Sequence, residues 1–169
     1  DIGYTTGQRT AVEDMLVGSQ GLVVLVGPTN SGKSTSMQAF AQQVRKRRGE
    51  SIKIITVEDP VEYLIDGACQ MGVSHGRKQL EGRDGSVYNT LLKGTLRQDP
   101  DVVIVGEIRD AESCSAVKDL VLAGRKLLTT LHVYEAMAVY SRLRELGVPE
   151  SILFMNNFIS GVIYQRLVP

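Results

Sequence analysis

No stretch of the 169 residues approaches the ~20 consecutive apolar residues that a membrane-crossing helix needs. Neither sign of charge prevails. Nineteen Lys and Arg face nineteen Asp and Glu, so the net charge is zero and a globally basic coat for nucleic acid is not encoded. Cysteine is scarce: Cys69 and Cys114 stand far apart and neither belongs to a C-x-x-C pair. That argues against a zinc ribbon or a dithiol redox motif, argues against a Cys69–Cys114 disulfide, and fits a reducing, cytosolic compartment. The opening Asp1-Ile2-Gly3-Tyr4 has neither the basic start nor the apolar run of a signal peptide. With no initiator Met, the chain is expected to be a piece of a longer protein. Internal repeats, low-complexity tracts and Ser/Pro-rich linkers are lacking too.

What is present is an ordinary globular composition, 43% hydrophobic and 22% charged. At this length roughly two-thirds of the unfolded surface can be buried, so a core forms without covalent staples. One soluble domain, residues 1–169, is expected. Thr6 can cap a helix through about Val17, with Met15 and Leu16 inward, before Gly18-Ser19-Gln20-Gly21 breaks it. Leu22–Val26 is a continuous apolar, β-branched run of the kind buried on both faces of a parallel sheet. A helix from Lys33 to about Arg48 follows, then a strand from Ile52 to Val57. Residues Asp66–Gly85 read as a long Gly-rich loop or irregular hairpin. Val87, Leu91, Leu92 and Leu96 form a helical stripe. Val102–Val105 and Lys126–Leu131 are further strands, and Asp110 caps the helix between them. Two helices, Tyr134 to about Leu146 and Glu150 to about Leu167, are expected to close the chain. Strands alternating with helices imply an α/β fold, a mostly parallel sheet flanked by helices on both faces.

The segment Gly27-Pro28-Thr29-Asn30-Ser31-Gly32-Lys33-Ser34 fits G-x-x-x-x-G-K-[ST] and lies between a buried strand and a helix. In such a loop the backbone N–H groups converge on phosphate oxygens, helped by the dipole of the helix that follows. Lys33 is expected to bridge β- and γ-phosphates, and the Ser34 hydroxyl to ligate Mg²⁺. The spacing therefore implies binding of a nucleoside triphosphate.

Three groups of candidates surround the loop. Glu107 follows Val102–Gly106 and stands at a strand's carboxyl end, where open α/β sheets hold ligands; it is either a metal-side carboxylate or an acid at the next helix's N-terminus. Glu58, Asp59 and Glu62 flank Pro60 at the end of another strand, and can either hold water and metal or be solvated surface. His132, just past Thr129-Thr130-Leu131, is either a structural donor or a phosphate contact. His75 has no partner pattern.

These elements, in this order, resemble the secretion ATPases of bacterial type II secretion and type IV pilus assembly. Gly27–Thr35 resembles their Walker A, Ile55–Tyr63 (ITVEDPVEY) their Asp box, and Leu96–Asp110 (LRQDPDVVIVGEIRD) their atypical Walker B. Thr130-Leu131-His132 resembles the core of their His box, and Gln165-Arg166-Leu167-Val168 the ending of their last helix. The resemblance implies a RecA-like P-loop NTPase domain, the C-terminal motor of a longer protein. It also implies a homo-hexameric ring, at the cytoplasmic face of the inner membrane, that hydrolyses ATP with Mg²⁺ and acts on an inner-membrane platform protein. By the same resemblance Glu58 activates water, Glu107 holds Mg²⁺ through water, and His132 senses the γ-phosphate. Asp59, Glu62, Arg97, Asp101 and Arg109 take supporting roles, Arg97 a structural or intersubunit one, with Arg109 and Asp110 at the strand-to-helix turn.

The chain also departs from the family. Gly124-Arg125-Lys126 stands where relatives usually have Gly-His, Val133-Tyr134-Glu135 where they have Thr-Asn-Asp, and Asn30 where Gly is common. The N-terminal domain that supplies arginines to a neighbouring site lies outside this sequence. The tetracysteine zinc segment of many relatives would begin where this sequence stops, so it is not carried over. Gly147-Val148-Pro149 and the Gln165–Val168 ending favour assembly of a pilus or pseudopilus over retraction, a conjugative pilus included. Two other classes stay open. A nucleic-acid-translocating ring motor would rest on Arg45-Lys46-Arg47-Arg48, which also suits the end of a helix. A non-catalytic, nucleotide-gated interaction module is the other.

Overall fold

Runs of branched apolar residues become strands because a parallel sheet, covered on both faces, leaves no side of the strand wet. The computed structural model describes residues 3–73 and 87–167. In it β1 (Gly21–Val26), β2 (Ile54–Glu58), β3 (Ala68–Gly72), β4 (Val102–Val105), β5 (Lys126–Leu131) and β6 (Ile159–Tyr164) form one sheet, ordered β3-β2-β4-β5-β1-β6. Every pairing is parallel.

Successive residues of β1 point to opposite faces. Leu22, Val24 and Val26 pack with α3 (Val87–Thr95), α4 (Ala111–Leu122) and α5 (Ala138–Glu145). Val23 and Leu25 pack with α1 (Thr6–Val17) and α2 (Lys33–Arg48). Among the described residues no helix is long and apolar enough to cross a membrane.

Four expectations are corrected. The cap of α1 is Thr5, not Thr6, because Gln8 three positions on completes a reciprocal box: Gln8 N donates to Thr5 Oγ1 at 3.3 Å, and Thr5 N donates to Gln8 Oε1 at 2.9 Å. The Gly-rich segment contains a strand, β3, paired with β2 from Ile54↔Ala68 to Glu58↔Gly72. Its remainder at 74–86, with His75, lies outside the described residues. The helix expected from Tyr134 begins only at Ala138, after a series of tight i→i+3 bonds such as Ala138 N to Glu135 O at 3.2 Å.

The last helix is mostly a strand. A short α6 (Glu150–Leu153) ends, Asn157 turns the chain at φ 66°, and β6 runs back beside β1. Ile159, Val162, Ile163 and Tyr164 are β-branched or aromatic, and at Gly161 the absent side chain leaves room for Met15 of α1, whose Sδ would lie 2.4 Å from a Cβ.

Lys126 is fully buried at the start of β5, its Nζ donating to Ser160 Oγ at 2.9 Å. Burial, helped by the charge of Arg48, lowers its pKa from 10.5 to about 8. Between those two values the unfolded chain still holds a proton that the folded chain has released, so stability rises with pH across that window and the burial penalty is complete below it. Lys126→Met is therefore expected to raise the melting temperature at pH 7 by about 3 °C, roughly 1 kcal/mol for a chain of this size. The gain should shrink toward zero by pH 10, as thermal melts at both pH values would show.

Candidate active site

The carboxyl ends of β1, β2, β4 and β5 open onto one cleft of about 510 Å³, lined by residues 29–35, Glu58, Asp59, Glu62, Tyr88, Glu107, Arg109 and His132 among others. The phosphate loop sits between β1 and α2, as its sequence requires. Gly32 caps α2 in the left-handed region, φ 82°, and Asn30 adopts φ 60°, a conformation that Asn tolerates better than most residues. Asn30 thus fills a position with a real backbone demand. The Lys33 ammonium is nearly buried and donates to the carbonyls of Gly27 at 2.9 Å and Pro28 at 2.7 Å. Burial lowers its pKa, partly offset by the Glu107 carboxylate. An ammonium has three protons, so one remains for a ligand oxygen. Ser34 and Thr35 are exposed and line the cleft.

Opposite the loop, Arg109 ties the acids together. Its Nε donates to Glu107 Oε1, and its Nη1 to Asp59 Oδ2 at 3.0 Å. Burial opposes its charge, yet these bonds outweigh that and raise the guanidinium's pKa. The guanidinium also lies 5.2 Å from the centre of the Tyr88 ring. Glu107 Oε2 is 3.2 Å from His132 Nε2. The Tyr88 hydroxyl donates to Glu107 O at 2.8 Å and accepts from Glu107 N at 3.2 Å, fixing the backbone that carries the acid. Burial pushes the Tyr88 pKa up to about 12, so it stays a neutral donor. Glu58, the last residue of β2, accepts at Oε1 from Thr56 Oγ1 at 2.6 Å and from Gln70 Nε2 at 3.1 Å. Among the described residues nothing bonds its Oε2.

The structure thus gathers Glu58, Asp59, Glu62, Glu107, Arg109, His132 and the phosphate loop at one edge. Gly27 and Pro28 lie behind the loop, their carbonyls turned to Lys33. Arg97 and Asp101 are not part of the cleft: Arg97 is exposed in the 3-10 turn after α3, and Asp101 precedes β4 at the opposite end of the strand, where its carboxylate accepts from Lys53 N at 2.8 Å. Arg109 does not serve the strand-to-helix turn with its side chain; Asp110 does, accepting from Ser113 N at 2.8 Å to cap α4. Tyr88 and Gln70 carry no motif, and their spacing to the acids exists only in the folded sheet.

Residues 1–169 match the family described as type II/IV secretion system protein. The chain belongs to that family. It is 38% identical over 168 residues to the putative type II secretion system protein E of Escherichia coli K12, covering 99% of this chain and 32% of that protein. To the type II secretion system ATPase E of Vibrio cholerae it is 36% identical over 167 residues, 99% of this chain and 31% of that one. The chain therefore spans about a third of the length of the curated relatives it matches. Among solved structures it resembles the pilus retraction motor PilT with bound ADP, at TM-score 0.77 and 28% identity over 99% of this chain and 47% of that one. It also resembles the Legionella pneumophila ATPase DotB, at TM-score 0.76 and 25% identity over 99% and 45%. The secretion-family fold is RecA-like, a parallel sheet with its nucleotide loop after β1.

Proposed function

We propose that this chain is the ATP-hydrolysing motor domain of a longer secretion-family protein that powers assembly of a type IV pilus or a type II pseudopilus. It works as a homo-hexamer at the cytoplasmic face of the inner membrane, against a platform protein. The observation that carries the reading is the phosphate loop on β1 facing the carboxylates of Glu58 and Glu107 across one cleft. Lys33 and the loop amides bind and orient the phosphates. Glu58, with Oε1 held by Thr56 and Gln70, presents Oε2 to the attacking water and takes its proton. His132, paired with Glu107 and lining the same cleft, is the group that reads the terminal phosphate.

Mg²⁺ fits this donor set. It favours one or two protein oxygens and completes its shell with water and phosphate, which suits a lone hydroxyl at Ser34 and one carboxylate at Glu107. When bound, the ion would neutralise charge on the phosphate oxygens.

Turnover of Mg²⁺-ATP per chain, measured across a wide range of protein concentration with Lys33→Ala as blank, tests the proposal. Specific activity that climbs with concentration supports sites completed by neighbours. Nucleotide binding with activity flat at the blank would instead leave a nucleotide-gated interaction module. Glu58→Gln is expected to lower kcat about 100-fold while ADP affinity changes less than about threefold; wild-type turnover would remove Glu58 from the chemistry. Nucleic-acid translocation gains no support. Arg45 donates to Asp66 O at 2.9 Å, Arg47 pairs with Glu13 at 2.5 Å, and Arg48 has a buried nitrogen, so the basic run is not an open stripe.

A further inference from the structure

We propose that Gln165, just after β6, is the positioning residue that sets the phosphate loop. The inference rests on reading residues 27–34 as that loop. Gln165 reaches it at three points. Its backbone N donates to Val26 O at 2.8 Å, extending the β1–β6 ladder to the threshold of the loop. Its carbonyl occupies the space a side chain on Gly27 would need, 2.1 Å from an ideal Cβ. Its side-chain Nε2 donates to Ser31 O at 2.7 Å and stands 2.9 Å from where a Cβ on Gly32 would lie. Both motif glycines therefore make room for Gln165, as well as for any phosphate.

The amide is held in one orientation. Oε1 accepts from the buried hydroxyl of Ser36, in the first turn of α2, at 2.7 Å, and from the Tyr4 hydroxyl at 3.4 Å. Only the nitrogen can face the Ser31 carbonyl, so the side chain clamps the loop to the helix that follows it. The consequence follows from peptide planarity. Across a trans peptide the carbonyl and the next N–H point in opposite directions. Pinning Ser31 O toward Gln165 turns the Gly32 N–H the other way, toward the side where the loop's amides receive a phosphate. Gln165 itself need not touch the ligand. It prevents a rotation of the 31–32 peptide that would aim a carbonyl, and its partial negative charge, at the phosphate.

The test uses ADP with Mg²⁺, titrated calorimetrically into wild-type chain, Gln165→Met and Ser36→Ala, together with melting temperatures and the ¹H–¹⁵N resonance of Gly32 before ligand is added. Gln165→Met keeps the length of the side chain without a donor. Expected is a loss of about tenfold in ADP affinity, the order for one preset hydrogen bond, with a melting temperature lowered by less than about 3 °C. The Gly32 amide should shift while Val162 and Ile163 stay in place, which general loosening of β6 would not produce. Ser36→Ala should fall between wild type and Gln165→Met. Gln165→Met binding ADP within about twofold of wild type, with Gly32 unmoved, overturns the proposal. Should Gln165→Met not fold, Ser36→Ala decides: wild-type affinity there overturns it, and an intermediate loss upholds it. A wild-type chain that binds no ADP would instead overturn the phosphate-loop reading, and this one with it.

Discussion

Replacing Lys33 with alanine is expected to weaken ATP binding at least about 100-fold, some 2.7 kcal/mol. The size follows from where the ammonium sits. It is almost wholly buried, and two of its protons are already engaged by the Gly27 and Pro28 carbonyls, which fixes the charge at the mouth of the loop. A charge-assisted bond to phosphate from a desolvated, preset donor stands at the upper end of single-bond contributions. Lys33→Arg should not restore it, because a planar fork cannot replace a compact point charge between two carbonyls. Calorimetric titration with ATP and ADP reads the effect directly, and unchanged affinity would refute the loop's assignment.

Glu107→Gln should separate binding from chemistry, leaving ADP affinity within a few-fold of wild type while turnover drops about a thousandfold. The side chain bridges Arg109 at Oε1 and His132 at Oε2, and an amide of the same shape can present its oxygen to Arg109 and its nitrogen to the imidazole. The scaffold is thus preserved and only the negative charge is lost. That charge is what a cation near Ser34 would need, and it is also the group that favours the protonated form of Lys33. Phosphate release under saturating ATP is the measurement; cycling at the wild-type rate would take Glu107 out of the mechanism.

The parts of the fold that were legible are those whose surroundings leave a continuous trace. Strands β1 and β4 are buried on both faces, so they read as unbroken apolar runs. Strand β5 shows the same burial through Leu127, Leu128 and Leu131, although Lys126, Thr129 and Thr130 interrupt its run. Helix α2 has both ends marked, by Lys33 after the loop glycine and by Gly49 at the C-cap. Edge strands leave no such trace. β3 is only partly covered and reads Ala-Cys-Gln-Met-Gly, without alternation or run. In β6 the spacing of Ile159, Val162 and Ile163 imitates a helical stripe, and Gly161 makes sense only once Met15 of α1 is seen against it. The site divides the same way. The loop, Glu58 and Glu107 follow from strand ends and a local motif. Tyr88, Gln70 and Gln165 arrive from distant segments, and the guanidinium of Arg109 chose the cleft over the turn because two carboxylates, Asp59 and Glu107, await it there.

The position of β6 has a bearing on the order of events as the chain is made. Its ladder partner, β1, emerges from the ribosome more than a hundred residues earlier, and the contact between Ser31 and Gln165 spans a sequence separation of 134. Contacts so distant form late, after the closure entropy of the intervening chain has been met by other packing. The loop's backbone is therefore finished among the last features of the domain. A nascent chain lacking β6 would carry the complete motif without the wall against which it is shaped, and competence for nucleotide would arise with completion of the fold rather than with synthesis of the motif.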